Sequence, residues 1–447
     1  MKWPGQYDLQ VAMRALLLLL FVSFLVVIPT AHWGVPLLGL VLLVPGSAAI
    51  RFLTLTRGPR ELPPRNLERD DWLWVLVLLA YGGFWLLDVG RSRQWPLDSA
   101  ALAIPLPYWT LLAAGLSIWL VRYPPGVRVF WVAVCAGALG AGSVALYERL
   151  VLGKARASND LNAIPFGNLS LLLGGLSLLA LLWCLRRGHA RSPGMAMLAL
   201  LAGLFGIVGS LLSGTRGGWV ALPFLLLLWF RSSRGLLPVA WRYSAVASLA
   251  VVFIVALWLP SANVTPRLAA AVTEAQQFQA GEARGSVGLR LEMWRGGLQL
   301  WSERPLLGWG ERGVTERLHA LIDSGEISPS IRRFRQLHSD VIDTAARRGL
   351  MGVATLLVLY GVPLWCFWRR LRSARSAGTQ LMAGAGMMVC VAYIDFGLSQ
   401  SMLRDSLGLS GYLGLCLACW ASLRGSEVAD KTLAVHRRYE GTSGGHG

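Results

Sequence analysis

Three short segments of the sequence contain residue types that could bind an anion and move a proton. The segment 213–219, SGTRGGW, holds Arg216 between two apolar runs. Arg290 lies in GLRLEMWRGG, and His338 lies in QLHSDVIDTAARRGLMG. Guanidinium groups bind phosphate through paired hydrogen bonds, and a histidine with an ordinary pKa near ~6.5 can act as a general base at neutral pH. The residue types therefore favour a phosphate site beside a base.

Arg216 precedes an apolar run that is short for a membrane span. As a helix, Gly217–Phe230 rises about 21 Å, less than the ~30 Å hydrocarbon core, so Arg216 is expected to lie somewhat below the membrane surface. The positive end of the helix dipole faces the guanidinium group, and this arrangement favours an anion between the two.

The neighbours of Arg216 agree with this interpretation. Ser213 or Thr215 is positioned to cap the helix. Gly217 and Gly218 have no side chains and would let a ligand approach the backbone. The segment therefore predicts a phosphate site made of backbone N–H groups and one guanidinium group. The alternative is an arginine that extends to the lipid headgroups.

Arg290 and His338 are less specific signals when each is considered alone. Arg290 lies on a predicted surface helix, so a solvated charge is the alternative for it. A single histidine is most often structural. A metal site made of His338, Asp340 and Asp343 is conceivable, but their spacing does not align them on one helix face. No metal or other cofactor is predicted.

The elements that carry these residues are predicted to be membrane helices. Of the 447 residues, 55% are hydrophobic and 15% are charged, whereas roughly 25% are charged in soluble domains. Apolar stretches recur along the whole chain, which predicts an all-α polytopic membrane protein. The twelve predicted spans are 12–29, 34–50, 72–88, 101–121, 127–148, 165–185, 195–212, 217–231, 244–260, 349–368, 379–399 and 405–423.

The basic residues predict the orientation of these spans. The formal net charge of +18 is not massed on one segment, so it does not indicate nucleic-acid binding. Of the 42 lysines and arginines, 23 fall in the N-terminal segment, in every second segment between the predicted spans and in the C-terminal segment. This bias predicts that those segments and both termini are cytoplasmic. The short segments on the other side hold seven: Arg91, Arg93, Arg149, Lys154, Arg156, Arg216 and Arg404.

One long polar segment is predicted to lie outside. The predicted units are spans one to nine in residues 1–260, a helical periplasmic loop in 261–348, spans ten to twelve in 349–423, and a cytoplasmic tail in 424–447. The loop starts with an alanine-rich stretch, predicted to be helical as far as Gly281, and a second helix is predicted over Val287–Glu303. Its apolar face is predicted to carry Leu289, Met293, Leu298 and Trp301.

In this order and spacing, TRGGW, LRLEMWRGGLQLWSERPLLGWG and HSDVIDTAARRGLMGV resemble the O-antigen ligase/polymerase superfamily. Within it, the resemblance is strongest to the ligases that join a finished polysaccharide to the lipid A core. It covers about residues 160–360 and the layout of twelve spans. It implies a GT-C-like glycosyltransferase of the bacterial inner membrane, with its active site at the periplasmic face.

The resemblance also implies substrates and residue roles. The donor would be a glycan on undecaprenyl pyrophosphate, the acceptor a lipid A-core sugar, and the surroundings membrane lipids. Arg216 and Arg290 would hold the pyrophosphate, and His338 would be the catalytic histidine. NAIPFGN at 162–168 looks like the family segment that contains Pro and Asn, and the usual His-Asn pair reads His338-Ser339 here.

The implied reaction is displacement of the lipid pyrophosphate by an acceptor hydroxyl, with inversion in a single step. Two bidentate arginines could stabilise the leaving group without a metal ion, and the histidine could accept the proton of the hydroxyl. A polymerase or a protein O-oligosaccharyltransferase would use the same donor. A transporter of an anionic lipid or metabolite also fits twelve spans, although the sequence contains no repeated halves.

Overall fold

Fourteen α-helices make up most of the chain that the structure describes. The computed structural model describes residues 6–54, 65–96, 104–186, 192–258, 273–274, 276–278 and 285–443. The helices are α1 (Gln6–Phe24), α2 (Ala31–Thr54), α3 (Arg69–Ser92), α4 (Leu106–Arg122), α5 (Val127–Leu146), α6 (Ala163–Leu185), α7 (Pro193–Ser213), α8 (Leu222–Ser232), α9 (Val239–Trp258), α10 (Gly285–Glu303), α11 (Gly313–Asp323), α12 (Asp340–Ser373), α13 (Ala377–Ser399) and α14 (Ser406–Ser443).

Each of the twelve predicted spans overlaps one of these helices, from α1 to α9 and from α12 to α14. Within the described residues, seven helical segments are long and apolar enough to cross a membrane: those of α3, α5, α6, α7, α12, α13 and α14. α1, α2 and α8 contain shorter apolar helices. The prediction of a helical polytopic membrane protein is confirmed, and the total of twelve spans remains a prediction.

The bundle is built around α6, α13 and α14. In its most apolar stretch of 18 residues, α6 is 78% buried, α13 is 83% buried and α14 is 89% buried. The corresponding stretch of α7, at the periphery, is 33% buried. α6 packs along α7, and α13 packs between α12 and α14. Small residues permit the closest approach: a Cβ at Gly206 on α7 would lie 2.6 Å from the Cα of Gly174 on α6. Such close backbone packing is a main source of stability between membrane helices.

Charged residues lie at the two ends of the bundle. At one end, Arg424 on α14 binds Asp71 on α3 at 2.9 Å. At the other end, Arg91 donates a hydrogen bond to the carbonyl of Leu307 at 2.9 Å. Residues predicted to be cytoplasmic thus share one end, and those predicted to be periplasmic share the other. Which end faces which compartment remains a prediction.

α10, α11 and a 3₁₀ turn at Pro329–Ile331 form a small unit on the start of α12. The alanine-rich stretch that precedes α10 lies largely outside the described residues. The second predicted helix is confirmed, because α10 begins only two residues earlier and ends at Glu303 as predicted. The apolar core of this unit consists of Met293, Leu300, Val314, Leu318, Leu321, Ile322, Ile327, Ile331, Leu337 and Ala346.

The predicted apolar face of α10 is wrong at one position. Leu298 is exposed, because the buried face of the helix is turned toward Gly296 and Gly297. A Cβ at Gly296 would lie 2.8 Å from Leu318, and one at Gly297 would lie 2.5 Å from Ile342. Two glycines therefore let α10 approach its neighbours closely. A pattern of hydrophobic residues does not show this effect of glycine on which face is buried.

A kink in α12 joins this unit to the bundle. Gly349 has φ 61° and ψ −159°, a backbone conformation that favours glycine. The N–H groups that this kink frees bind the loop after α10: Leu350 N donates to Pro305 O at 2.7 Å. In return, Gly310 N donates to Arg347 O at 2.8 Å. These bonds hold the kinked part of α12 against the loop after α10.

Candidate functional site

Arg216 lies in the turn between α7 and α8. α7 ends at Ser213, and Gly214 reverses the chain with a φ of 67°. A 3₁₀ turn at Gly217–Ala221 then leads into α8, and Arg216 occupies its N-cap position. The arginine is half-buried at the end of the bundle that is predicted to be periplasmic.

The predicted cap of α8 by Ser213 or Thr215 is wrong. Ser213 still belongs to α7, and its Oγ accepts a hydrogen bond from Thr215 N at 3.1 Å. Thr215 Oγ1 donates to the carbonyl of Ala163 at 2.9 Å. These bonds fasten the turn to α7 and α6, and no side chain caps the 3₁₀ turn.

Gly217 and Gly218 were predicted to let a ligand approach the backbone, but in the structure they let the turn pack against α6 and α13. A Cβ at Gly217 would lie 2.4 Å from Ser399 Oγ, and one at Gly218 would lie 2.3 Å from Asn168 Oδ1. Phe396 also lies 2.9 Å from the second of these positions. The space that side chains would fill is therefore occupied by α6 and α13, and the glycines permit helix packing instead of opening a path for a ligand on that side.

A second arginine, Arg156, contacts the same turn from the segment between α5 and α6. Its Nε donates to the carbonyl of Ser213 at 2.7 Å, and its Nη2 donates to Thr215 Oγ1 at 3.4 Å. A role for Arg156 was not predictable from the sequence, because no local pattern distinguishes it from other loop arginines.

Arg290, on α10, is half-buried and faces the same region. Burial lowers its pKa, and the positive charge of Arg156 lowers it further, so the two guanidinium groups are near neighbours. Within the described part of the chain, Arg290 forms no hydrogen bond or ion pair. Arg290 is half-buried and Arg156 is exposed, and an anion between two like charges stabilises both.

His338 immediately precedes α12 and has a left-handed backbone, with φ 50°. Its Nδ1 lies 2.5 Å from Oε1 of Gln400, at the end of α13. Because an amide oxygen only accepts, this bond assigns the proton to Nδ1 and leaves the Nε2 lone pair available in the neutral ring. The adjacent Ser339 N donates to Ser401 Oγ at 3.2 Å. The histidine is thus held from two sides.

The pKa of His338 is lowered from its ordinary value. Burial is the largest cause, and the positive charge of Arg290 acts in the same direction. The hydrogen bond with Gln400 and the carboxylate of Asp343 oppose the shift. Burial therefore accounts for the larger part of the lowering of this pKa, and the charge of Arg290 for the smaller part.

The two aspartates considered for a metal site have protein partners instead. Asp340 accepts hydrogen bonds from Leu403 N at 3.0 Å and Tyr360 Oη at 3.0 Å. Asp343 binds Arg347 at 3.2 Å and Arg404 at 2.9 Å. Among the residues that the structure describes, no group of His, Cys, Asp and Glu is arranged to hold a metal ion.

Two buried polar groups lie behind the turn of Arg216. Asn168 donates through Nδ2 to Met402 Sδ at 3.6 Å, while its Oδ1 is directed at Gly218. Asp395 on α13 accepts a hydrogen bond from Ala221 N and so fixes the start of α8. Both groups position the turn.

These contacts connect the three predicted site residues. Gly217, next to Arg216, packs on Ser399, and the next residue, Gln400, binds His338. Arg290 influences His338 electrostatically. Arg216 thus lies in a turn that Arg156 binds, and Arg290 is within electrostatic reach of both Arg156 and His338. Such an arrangement can bind a diphosphate and accept a proton from a hydroxyl.

The fold and site define a polytopic helical membrane protein with a cationic site at one end of its bundle. The O-antigen ligase family model matches residues 201–357, which include the turn of Arg216, α10 and His338. This match supports membership of the chain in the O-antigen ligase/polymerase superfamily. Members of this family are glycosyltransferase-like ligases and polymerases, which supports enzyme status of that general kind for the protein.

The chain is also similar to an uncharacterized protein of Haemophilus influenzae. The two are 23% identical over 407 residues, which cover 90% of this chain and 96% of the relative. This similarity extends beyond the family match to nearly the whole chain, and it carries no information about a substrate.

Proposed function

We propose that the protein is a metal-independent, inverting glycosyltransferase. It transfers an O-antigen polysaccharide from undecaprenyl pyrophosphate to a hydroxyl of a lipid A-core sugar, at the periplasmic face of the inner membrane. The proposal is supported by the hydrogen bonds of Arg156 to the turn of Arg216, together with the electrostatic effect of Arg290 on His338. The family match supports the general reaction and leaves donor, acceptor and compartment to experiment.

The proposed reaction is a single displacement. The acceptor oxygen forms a bond to the anomeric carbon of the donor glycan as the bond from that carbon to the pyrophosphate oxygen breaks. His338 Nε2 takes the proton of the hydroxyl, and the electron pair leaves with the pyrophosphate. Arg216 and Arg290 bind the pyrophosphate oxygens, where negative charge develops in the transition state. Arg156 supports Arg216 by holding the turn.

The direct test is transfer by the purified full-length protein in detergent, with lipid-linked glycan and lipid A-core as the two substrates. We expect product formation in the presence of a chelator, with an inverted configuration at the transferred anomeric carbon by NMR. Retention of configuration would contradict the single displacement. Transfer to a second lipid-linked glycan or to a protein, but not to lipid A-core, would identify a polymerase or a protein glycosyltransferase instead.

Gln400 offers a test of how His338 is positioned. Gln400→Leu removes the acceptor for Nδ1–H, so we expect the rate to fall on the order of tenfold, less than the whole contribution of a general base. Because this hydrogen bond raises the pKa of His338, its loss should move the acid limb of the pH–rate profile to lower pH. The measurement is kcat as a function of pH.

The matched control is Gln380→Leu. Gln380 lies at the other end of α13 and donates to the carbonyl of Ser232 at 2.8 Å. This variant should keep the pH profile of the wild type. If both variants lower kcat equally and neither moves the acid limb, Gln400 has only a structural role.

A further inference from the structure

One tryptophan of α10, Trp294, has a polar group that the protein itself does not satisfy. The side chain is half-buried, and its Nε1 is buried without a hydrogen-bond acceptor among the described residues. Buried tryptophan N–H groups usually find an acceptor, and a buried donor that has none costs free energy. An oxygen atom of a ligand would remove that cost.

The other two tryptophans of the unit formed by α10, α11 and the start of α12 do have acceptors. Trp301 Nε1 donates to the carbonyl of Pro305 at 3.1 Å, and Trp309 Nε1 donates to the carbonyl of Leu300 at 2.9 Å. Trp309 also packs against the apolar core of the unit. The missing acceptor at Trp294 is therefore not a general property of the tryptophans in this part of the chain.

Three tryptophans of the membrane bundle also have a buried Nε1 without an acceptor, and they differ from Trp294 in their surroundings. They belong to the apolar core of the bundle, where the ring itself has a packing role: Trp74, Trp109 and Trp131. Trp294 is part of neither apolar core in the described portion of the chain. Its ring therefore lacks the structural role that explains the other three.

Helical spacing places Trp294 next to the proposed site. Residues four apart share one face of a helix, about 6 Å apart along its axis, so Trp294 follows Arg290 on the same face. Arg290 acts electrostatically on His338. Gly297, one turn beyond Trp294, faces the residue before that histidine, since a Cβ at Gly297 would lie 2.8 Å from the side chain of Leu337. Trp294 thus lies between two positions that adjoin the segment of His338.

The proposed reaction places a sugar in this region. Arg290 binds the pyrophosphate of the donor, and the carbon that carries the pyrophosphate faces His338. The sugar that contains this carbon therefore lies beside both residues. Sugars present oxygen atoms that accept hydrogen bonds and C–H groups that pack against aromatic rings. An indole matches both, because its N–H only donates and its ring is a large apolar surface.

We propose that Trp294 binds the first sugar of the donor glycan, the sugar that is attached to the pyrophosphate. The indole N–H donates a hydrogen bond to an oxygen of this sugar, and the ring packs against its C–H groups. Because Nε1 is buried, this contact requires the indole or a neighbouring side chain to move when the donor binds. The inference rests on the proposed function, because it assigns a further binding residue to the same donor.

The test compares two ligands of the purified full-length protein in detergent: undecaprenyl pyrophosphate, and the same lipid with its glycan attached. Trp294→Phe keeps an aromatic ring and removes the N–H, whereas Trp294→Leu removes both. We expect Trp294→Phe to weaken binding of the glycan-bearing lipid by about three- to tenfold, the contribution of one hydrogen bond. Trp294→Leu should weaken it further. Both variants should bind undecaprenyl pyrophosphate as the wild type does.

Trp301→Phe is the matched control on the same helix. It removes an N–H that has an acceptor in the protein, so we expect a lower thermal unfolding temperature and unchanged binding of both lipids. Trp294→Phe loses no hydrogen bond within the described residues, so its unfolding temperature should not fall. Arg290→Ala, in contrast, should weaken binding of both lipids.

Three results would overturn the inference. Equal loss of affinity for both lipids in the Trp294 variants would mean that the residue acts on the diphosphate or on the fold. Wild-type binding of both lipids by Trp294→Phe and Trp294→Leu would mean that no sugar contacts the indole. A defect confined to the KM of the acceptor would place the acceptor sugar there instead. If Trp294→Leu does not fold, the comparison of the two lipids with Trp294→Phe still decides.

The two proposals fail in different ways. If the Trp294 variants bind the glycan-bearing lipid more weakly but the wild type transfers no glycan, the proposed function is wrong and Trp294 stands as a sugar-binding residue. If the wild type transfers glycan and both Trp294 variants keep its donor KM, the proposed function stands and the inference about Trp294 is wrong.

Discussion

Replacement of His338 by asparagine is expected to lower the rate of glycosyl transfer by about 10²–10⁴-fold, the usual contribution of a general base. Asparagine tolerates the left-handed backbone that His338 adopts, with φ 50°. The variant should therefore fold, and its thermal unfolding temperature and its affinity for undecaprenyl pyrophosphate should match those of the wild type. The measurement is kcat in detergent with saturating donor and acceptor.

The pH dependence gives the same prediction a second readout. His338 must be neutral to accept a proton, and its pKa is lower than ordinary because of burial and the charge of Arg290. Wild-type activity should therefore persist at pH 6.5 and fall only as the pH drops through this lowered pKa. The residual activity of His338→Asn should lack this acid limb. A variant with wild-type kcat would exclude His338 as the base.

The second large effect is expected for Arg290→Ala. Removal of this half-buried guanidinium group should lower kcat/KM for the donor by about 10²–10³-fold, the loss typical of a removed group that stabilises developing charge. Arg295→Ala is the matched control on the same helix. Arg295 is exposed and lies 3.9 Å from Glu292, so its loss should leave donor kinetics unchanged.

A conservative variant separates charge from geometry at this position. Arg290→Lys keeps the positive charge and loses the planar fork, so it should recover only part of the activity lost in Arg290→Ala. Equal defects in Arg290→Ala and Arg295→Ala would mean that α10 contributes general surface charge and no specific contact. The same result would remove Arg290 from the site.

Hydropathy predicted the helices well, since membrane spans require long apolar runs whatever their neighbours are. The bounds of α10 also followed from its periodicity and from the Pro and Gly residues after it. Contacts between helices were not predictable in this way. Leu298 fits the apolar pattern of α10 and is exposed, because Gly296 and Gly297 decide which face approaches the neighbouring helices.

The turn of Arg216 shows the same limit on a smaller scale. Its glycines were noticed from sequence, but their purpose depends on Ser399 and Asn168, which are distant in the chain. The predicted cap failed for a related reason: α7 extends to Ser213 and uses that side chain itself. Local patterns indicated that the turn was unusual, and only its long-range contacts explain why.

Within the site, the residues that belong to motifs were predictable and their supporting residues were not. Arg216, Arg290 and His338 each lie in a recognisable segment. Arg156 and Gln400 lie in ordinary surroundings. Arg156 reaches the site through hydrogen bonds to Ser213 and Thr215, and Gln400 reaches it through a hydrogen bond to His338. A side chain that acts through long-range hydrogen bonds leaves no periodic or compositional trace in the sequence.

The central claim is that cationic groups from separate segments enclose a diphosphate beside His338. The most direct measurement is an experimental structure of the full-length protein in lipid nanodiscs with a bound, non-reactive undecaprenyl pyrophosphate analogue. The account predicts both phosphates within hydrogen-bond distance of Arg216 and Arg290, with the linked glycosyl carbon facing Nε2 of the histidine. Phosphates bound at the opposite end of the bundle, near Arg370 and Arg424, would contradict it.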